Sequence, residues 1–147
     1  MNRILFLGSV VALALGVLVI APGGGATRTA ASVTAGKSAY GTILFDGRGR
    51  ALYAFTRDMR NRSRCYGACA KAWPPYVVSG RVRAAAGTKT SLLGTTRRAD
   101  GTRQVTYAGR PLYFYVGDRK AGQVLCQNVN EYGGLWLVLR PSGKLVR

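Results

Sequence analysis

Apolar and polar positions follow three successive regimes along this chain. Residues 4–21 are an unbroken run of apolar and small side chains without a charge. Residues 27–39 are mostly Ala, Ser, Thr and Gly with two positive charges, too small in side chain to bury much area. From Tyr40 onward, short β-branched and aromatic stretches alternate with glycine-containing turns, the period of half-buried strands. Tyr40 to Phe45 predicts a strand, Asp46-Gly47-Arg48-Gly49 a hairpin turn whose glycines can take positive φ, and Leu52 to Phe55 the returning strand. In the second half Asp100-Gly101 marks a turn, Arg103 to Tyr107 a strand, Ala108-Gly109-Arg110 a turn, and Pro111 to Val116 the return. Leu135 to Leu139 predicts a last long strand, with Leu145 to Arg147 closing after Pro141-Ser142-Gly143-Lys144. The one helical candidate is a turn or two around Cys65 to Ala72, ended by Pro74-Pro75. The pattern predicts a mainly β fold: a small antiparallel sheet module, sandwich or barrel-like.

The two hairpins are copies of each other. Gly49 to Asp58 aligns without gaps on Gly109 to Asp118, and six positions are identical or both aromatic. The shared core is Leu-Tyr-x-aromatic-x-x-Asp: Leu52, Tyr53, Phe55 and Asp58 in one copy, Leu112, Tyr113, Tyr115 and Asp118 in the other. Each copy then runs through a polar loop to a tryptophan, Trp73 or Trp136, so the repeats extend over about 40–78 and 100–140. Strand alternation puts Tyr53 with Phe55, and Tyr113 with Tyr115, on one face, while Leu52 and Leu112 face the other way. Asp58 and Asp118, just past their strands, are placed to accept hydrogen bonds from turn amides or an arginine. The competing reading makes the aromatics a stacking platform or the aspartates metal ligands. Aromatics at strand spacing usually pack and aspartates in turns usually cap, so the motif is taken as structural.

The N-terminus changes the compartment. Asn2 and Arg3, the apolar run, and Gly24 and Ala26 after Pro22-Gly23 have the order of an export signal, with cleavage expected after Ala26. The length of the run leaves an uncleaved anchor through residues 4–21 as the alternative. The expected organisation is a signal over 1–26, a flexible linker over 27–39 and a single β-rich domain over 40–147. Of 22 Lys and Arg against 5 Asp and Glu, only Arg3 falls in the signal, so the exported part stays strongly cationic. Outside a cytoplasm that excess favours anionic wall polymers or a membrane surface. Nothing points to specific nucleic acid recognition, and nothing specifies an oligomeric state.

Three cysteines cannot all pair within one molecule. Cys65 and Cys69 are close enough in sequence to bridge locally; a bridge from either to Cys126, which sits at the corresponding place in the second copy, would instead staple the repeats. The local pair is preferred. No histidine is present, which removes Ser-His and Cys-His nucleophiles, haem ligation and the commonest zinc ligand. Asp58 and Asp118 would serve glycoside hydrolysis only if the repeats set them across one cleft. No catalytic residue, metal site or cofactor is predicted.

The two motif copies, Cys65 to Pro75 and Tyr132-Gly133-Gly134-Leu135-Trp136 together resemble the bacterial "secreted repeat of unknown function" family, also described as predicted lipoproteins with a Tyr-x-aromatic-x-x-Asp motif. The resemblance covers about residues 40–147. It implies an envelope or extracellular location and carries over no reaction, cofactor or binding residue. Many relatives carry a lipidated cysteine after the signal; here none follows the apolar run, so release or an uncleaved helix would replace it. The expected function is that of an exported basic envelope module, binding or structural, associating with anionic wall polymers or lipids. A thiol-redox or disulfide-linked role is the alternative, and a carboxylate-dependent hydrolase ranks third.

Overall fold

A computed structural model describes residues 31–147. The signal, its cleavage site and the anchor through 4–21 lie outside the described residues. The elements are β1 (Ser32–Ser38), β2 (Gly41–Asp46), β3 (Tyr53–Phe55), α1 (Ala68–Ala72), β4 (Arg83–Ala84), a single 3-10 turn (Thr90–Leu92), β5 (Leu93–Arg97), β6 (Arg103–Tyr107), β7 (Arg110–Pro111), β8 (Val129–Glu131) and β9 (Gly134–Val138). They form three small sheets of order β2-β1-β4, β3-β9-β8 and β5-β6-β7. All ladders are antiparallel except β1 with β4. The mainly β expectation holds, and none of the three sheets closes into a barrel.

Each repeat begins one strand earlier than its hydrophobic pattern indicates. The segment expected as a tether contains β1, which pairs with β2 from Val33↔Asp46 to Ser38↔Gly41. Its small residues are a packing requirement: a Cβ added at Gly36 would lie 2.9 Å from the Phe45 ring. The second copy has the equivalent strand in β5, paired with β6 from Leu93↔Tyr107 to Arg97↔Arg103. The helix forms, shortened to Ala68–Ala72, after Gly67 at φ 56°.

The copies are interleaved. The motif strand of the first copy, β3, pairs with the tryptophan strand of the second, β9, in the register Tyr53↔Val138 to Phe55↔Trp136. In return, the segment after Trp73 pairs with the second motif: Phe114 N–H donates to the Pro74 carbonyl (2.8 Å) and Tyr76 N–H to the Leu112 carbonyl (2.9 Å). Pro74 and Pro75 have no amide to donate, so this ladder stays too sparse for a regular strand, and regular pairing of the second motif ends at Pro111. Where the motifs meet, Tyr53 and Tyr113 exchange both backbone hydrogen bonds at 2.9 Å, as residues facing each other across a local two-fold do.

Strand alternation divides the core in two. One side holds Tyr53, Phe55, Trp73, Tyr113 and Trp136; the other holds Leu52, Ala54, Leu112, Phe114, Val105 and Leu139.

Candidate functional site

The interleaving brings each motif tyrosine to the aspartate of the other copy. Tyr53 donates its hydroxyl to Asp118 Oδ2 and Tyr113 donates to Asp58 Oδ2, both at 2.7 Å. The second carboxylate oxygen accepts a loop amide in each case: Arg64 N–H to Asp58 Oδ1 at 2.7 Å and Leu125 N–H to Asp118 Oδ1 at 2.9 Å. Burial, and then the facing carboxylate, push both phenols well above their usual range, so they stay protonated donors. Burial also raises Asp58 from the ordinary 3.8 to about 6, against the opposing pull of its donors and of Arg98. The motif is thus a reciprocal clasp between repeats, with both oxygens of each carboxylate engaged.

Behind the clasp lies a column of aromatic rings. Phe55 stacks on Trp136 at 4.2 Å, Trp136 on Trp73 at 4.0 Å, and Trp73 meets Tyr115 at 4.8 Å between centroids. Leu52 and Leu112 are fully buried in the opposite layer. Arg98, only 4% exposed, joins the copies from the side. Its guanidinium donates to Ser63 Oγ, Gln104 Oε1 and the Cys65 carbonyl, each at 2.8 Å, and lies over the Tyr66 ring. Ser63 Oγ is in turn 2.7 Å from the Tyr113 hydroxyl, which links Arg98 to the clasp.

One cavity is built where the copies differ. The loop after β3 carries Arg57, Arg60, Arg62 and Arg64 within eight residues. A shallow groove of about 460 Å³ is lined by Phe55, Arg57, Arg62, Ser63, Arg64, Tyr66, Cys69 and Tyr132, with no carboxylate among them. Arg57 makes one long contact, 3.3 Å, to the Tyr132 carbonyl, and Arg64 Nη2 reaches only the Met59 sulfur, a weak acceptor. The Arg62 guanidinium forms no hydrogen bond to another described residue. Tyr66 and Tyr132 are 38% and 43% exposed, leaving aromatic surface beside the cations. The Tyr132-Gly133-Gly134 turn lies directly on Arg57: a Cβ at Gly134 would sit 2.7 Å from Arg57 Cγ and 2.8 Å from Phe55 Cε2.

Of the residues lining the groove, the sequence points to Phe55 as a motif residue and Cys69 as a disulfide candidate but not to the arginines, although four arginines in eight positions are the available signal. The groove residues act together only because β8 and β9 carry Tyr132 across to the first copy.

Cys65 and Cys69 form the local disulfide, Cα atoms 5.3 Å apart, and Cys126 is free. Cys126 follows the amide donor to Asp118 as Cys65 follows the donor to Asp58. Burial raises the Cys126 thiol, only partly offset by its hydrogen bond with Tyr115. Asp118 is held inside at 5% exposure, while Asp58 edges a separate cavity of about 240 Å³ with Met59, Arg60 and Arg110. Among the described residues no three of Cys, Asp and Glu converge as a metal-binding group, and no helix is long and apolar enough to cross a membrane.

No match was found among curated proteins or among solved structures. A family model does match twice, over residues 34–76 and 94–140, which together make up more than half of the chain. Each matched segment spans the strands, motif and tryptophan of one copy, beginning inside β1 or β5, so the chain belongs to the family described as a secreted repeat of unknown function.

Proposed function

We propose that this chain is an exported binding module whose arginine-rich surface holds it against anionic polymers of the cell envelope. The observation that carries this reading is the fate of its five acids. Asp46 accepts the amides of Arg48 and Arg50, Asp100 accepts the amide and hydroxyl of Thr102, Glu131 accepts the Trp73 indole, and Asp58 and Asp118 hold the clasp. Every carboxylate accepts at least one hydrogen bond from within the chain. One ion pair, Arg98 with Asp100 at 3.5 Å, is present among the described residues. The excess of Lys and Arg is therefore scarcely neutralised locally, and its field is free to attract a polyanion.

A redox role has less support: Cys65 and Cys69 are already joined, and the Cys126 thiol is shifted away from the reactive thiolate. The hydrolase reading has less still, since both aspartates have their two oxygens occupied by internal donors.

Co-sedimentation with purified cell walls over a salt series tests the proposal. Binding is expected at low salt and release as the Debye length shrinks below about 8 Å, above roughly 0.15 M. No binding at low salt would rule it out.

A further inference from the structure

We propose that the groove between Arg57, Arg62 and Arg64 is a specific site for a phosphodiester carried on a polyol. That chemistry is shared by polyol-phosphate wall polymers and phosphoglycerol lipid headgroups. The inference rests on the polyanion reading above and gives it an address.

The two copies of the repeat provide an internal control. Arg57 immediately precedes the clasp aspartate and Arg64 supplies the amide that caps it; the second copy has Gly117 and Leu125 in those places. The same clasp is built without arginine there, so the clasp does not require these guanidinium groups. Copy-specific cations with little internal hydrogen bonding are placed for an external acceptor. Planar guanidinium forks suit the paired non-bridging oxygens of a phosphodiester, and three of them without a lining carboxylate leave an anion with no like charge in the groove wall.

The remaining lining sets the ligand's other half. Tyr66, Tyr132 and the Phe55 edge supply apolar surface next to the cations, suited to the carbon chain on either side of a phosphate. The volume of about 460 Å³ falls within the roughly 300–1,000 Å³ of small-molecule sites, so it has room for flanking polyol units. The parts are held in place: Tyr66 is braced by Arg98 and by the Ala99 amide at 3.1 Å, and the Cys65–Cys69 bridge fixes the wall beside it.

The test titrates the full-length chain with a poly(glycerol phosphate) oligomer by calorimetry at about 150 mM salt, where long-range attraction is screened. Arg57→Gln/Arg62→Gln/Arg64→Gln is compared with Arg81→Gln/Arg83→Gln/Lys89→Gln, which removes equal charge from residues that do not line the groove. Since Arg57 also supports the Gly133-Gly134 turn, the double variant Arg62→Gln/Arg64→Gln is read alongside, with thermal melts of all variants. Both groove variants are expected to bind at least about tenfold more weakly, and the control triple variant less than about threefold.

Equal losses in the two triple variants would overturn the site while leaving polyanion binding intact. Polyglutamate bound with equal affinity and equal dependence on the groove arginines would overturn the phosphodiester assignment. Failure of the unaltered chain to bind either the oligomer or phosphatidylglycerol vesicles while it still binds cell walls would overturn the ligand class alone. Failure to bind either at low salt would remove both readings. Groove-dependent binding to phosphatidylglycerol vesicles but not to the soluble oligomer assigns the lipid source, and the reverse assigns the wall polymer.

Discussion

A phenol that has left water for a buried carboxylate is held by one charge-assisted hydrogen bond, and this chain contains two such bonds related by its local symmetry. Replacing Tyr53 or Tyr113 by phenylalanine leaves the ring packing intact and strips one donor from Asp118 or Asp58. Each substitution is expected to cost about 1.5–3 kcal/mol, measured by chemical denaturation. Asp118→Asn combined with Tyr53→Phe should cost less than the sum, because both remove the same bond. A loss below about 0.5 kcal/mol for the tyrosine variants would mean that the clasp does not stabilise the fold. Asp58 adds a pH dependence of definite sign. Between 3.8 and about 6 the folded chain retains a proton on Asp58 that the unfolded chain has released. Its contribution therefore makes the fold more stable as pH falls from about 6 toward 4, and it is level above that window. Thermal melts across this range should show the slope, and Asp58→Asn should flatten it; an unchanged slope would assign the dependence to another group.

The turns after β2 and β6, the strand β9 and the helix beside the disulfide follow from alternation, glycine turns and Pro74-Pro75, whereas the return strands are cut to Tyr53–Phe55 and Arg110–Pro111 and β3 takes its ladder partner from β9 rather than β2. β1 and β5 are not legible in the same way, because their mostly small and polar residues carry little apolar alternation, although β1 is the middle strand of its sheet between β2 and β4 and β5 is an edge strand. Ser32 to Ser38 has the composition of a linker and becomes a strand only because β2 supplies its partner. The clasp has a similar limit. Alternation places Tyr53 with Phe55 on one face, but that Tyr53 meets Asp118 rather than Asp58 depends on the pairing of β3 with β9, which local sequence does not specify. The groove is legible only as a run of arginines until the β8–β9 turn closes over Arg57. Gly134→Ala tests that closure: with its Cβ against Arg57 and Phe55, it should destabilise the chain by about 1–3 kcal/mol. A neutral Gly134→Ala would show that the turn does not rest on Arg57.

Exchange of strands makes the two repeats a single cooperative unit. The first motif strand, β3, has its ladder partner in β9 of the second copy, and Leu112 and Phe114 of the second motif are hydrogen-bonded to Tyr76 and Pro74 of the first, so neither copy can complete the pairing of its motif alone. Expressed separately, residues 31–89 and 90–147 are each expected to lack a folded monomeric form, and mixing them should restore dispersed amide resonances in a one-to-one complex. A compact folded monomer of either fragment would contradict the exchange. Alike in the clasp and unlike in the arginine loop, the copies divide the work between a shared frame and one modified face. The stacked indoles give the molecule an optical handle as well. Its only two tryptophans, Trp73 and Trp136, lie face to face between the repeats. Nearly all ultraviolet emission excited at the indole band thus originates at the seam. The natural fluorescence of the chain reports whether its halves are engaged, without any label, and is insensitive to motion elsewhere.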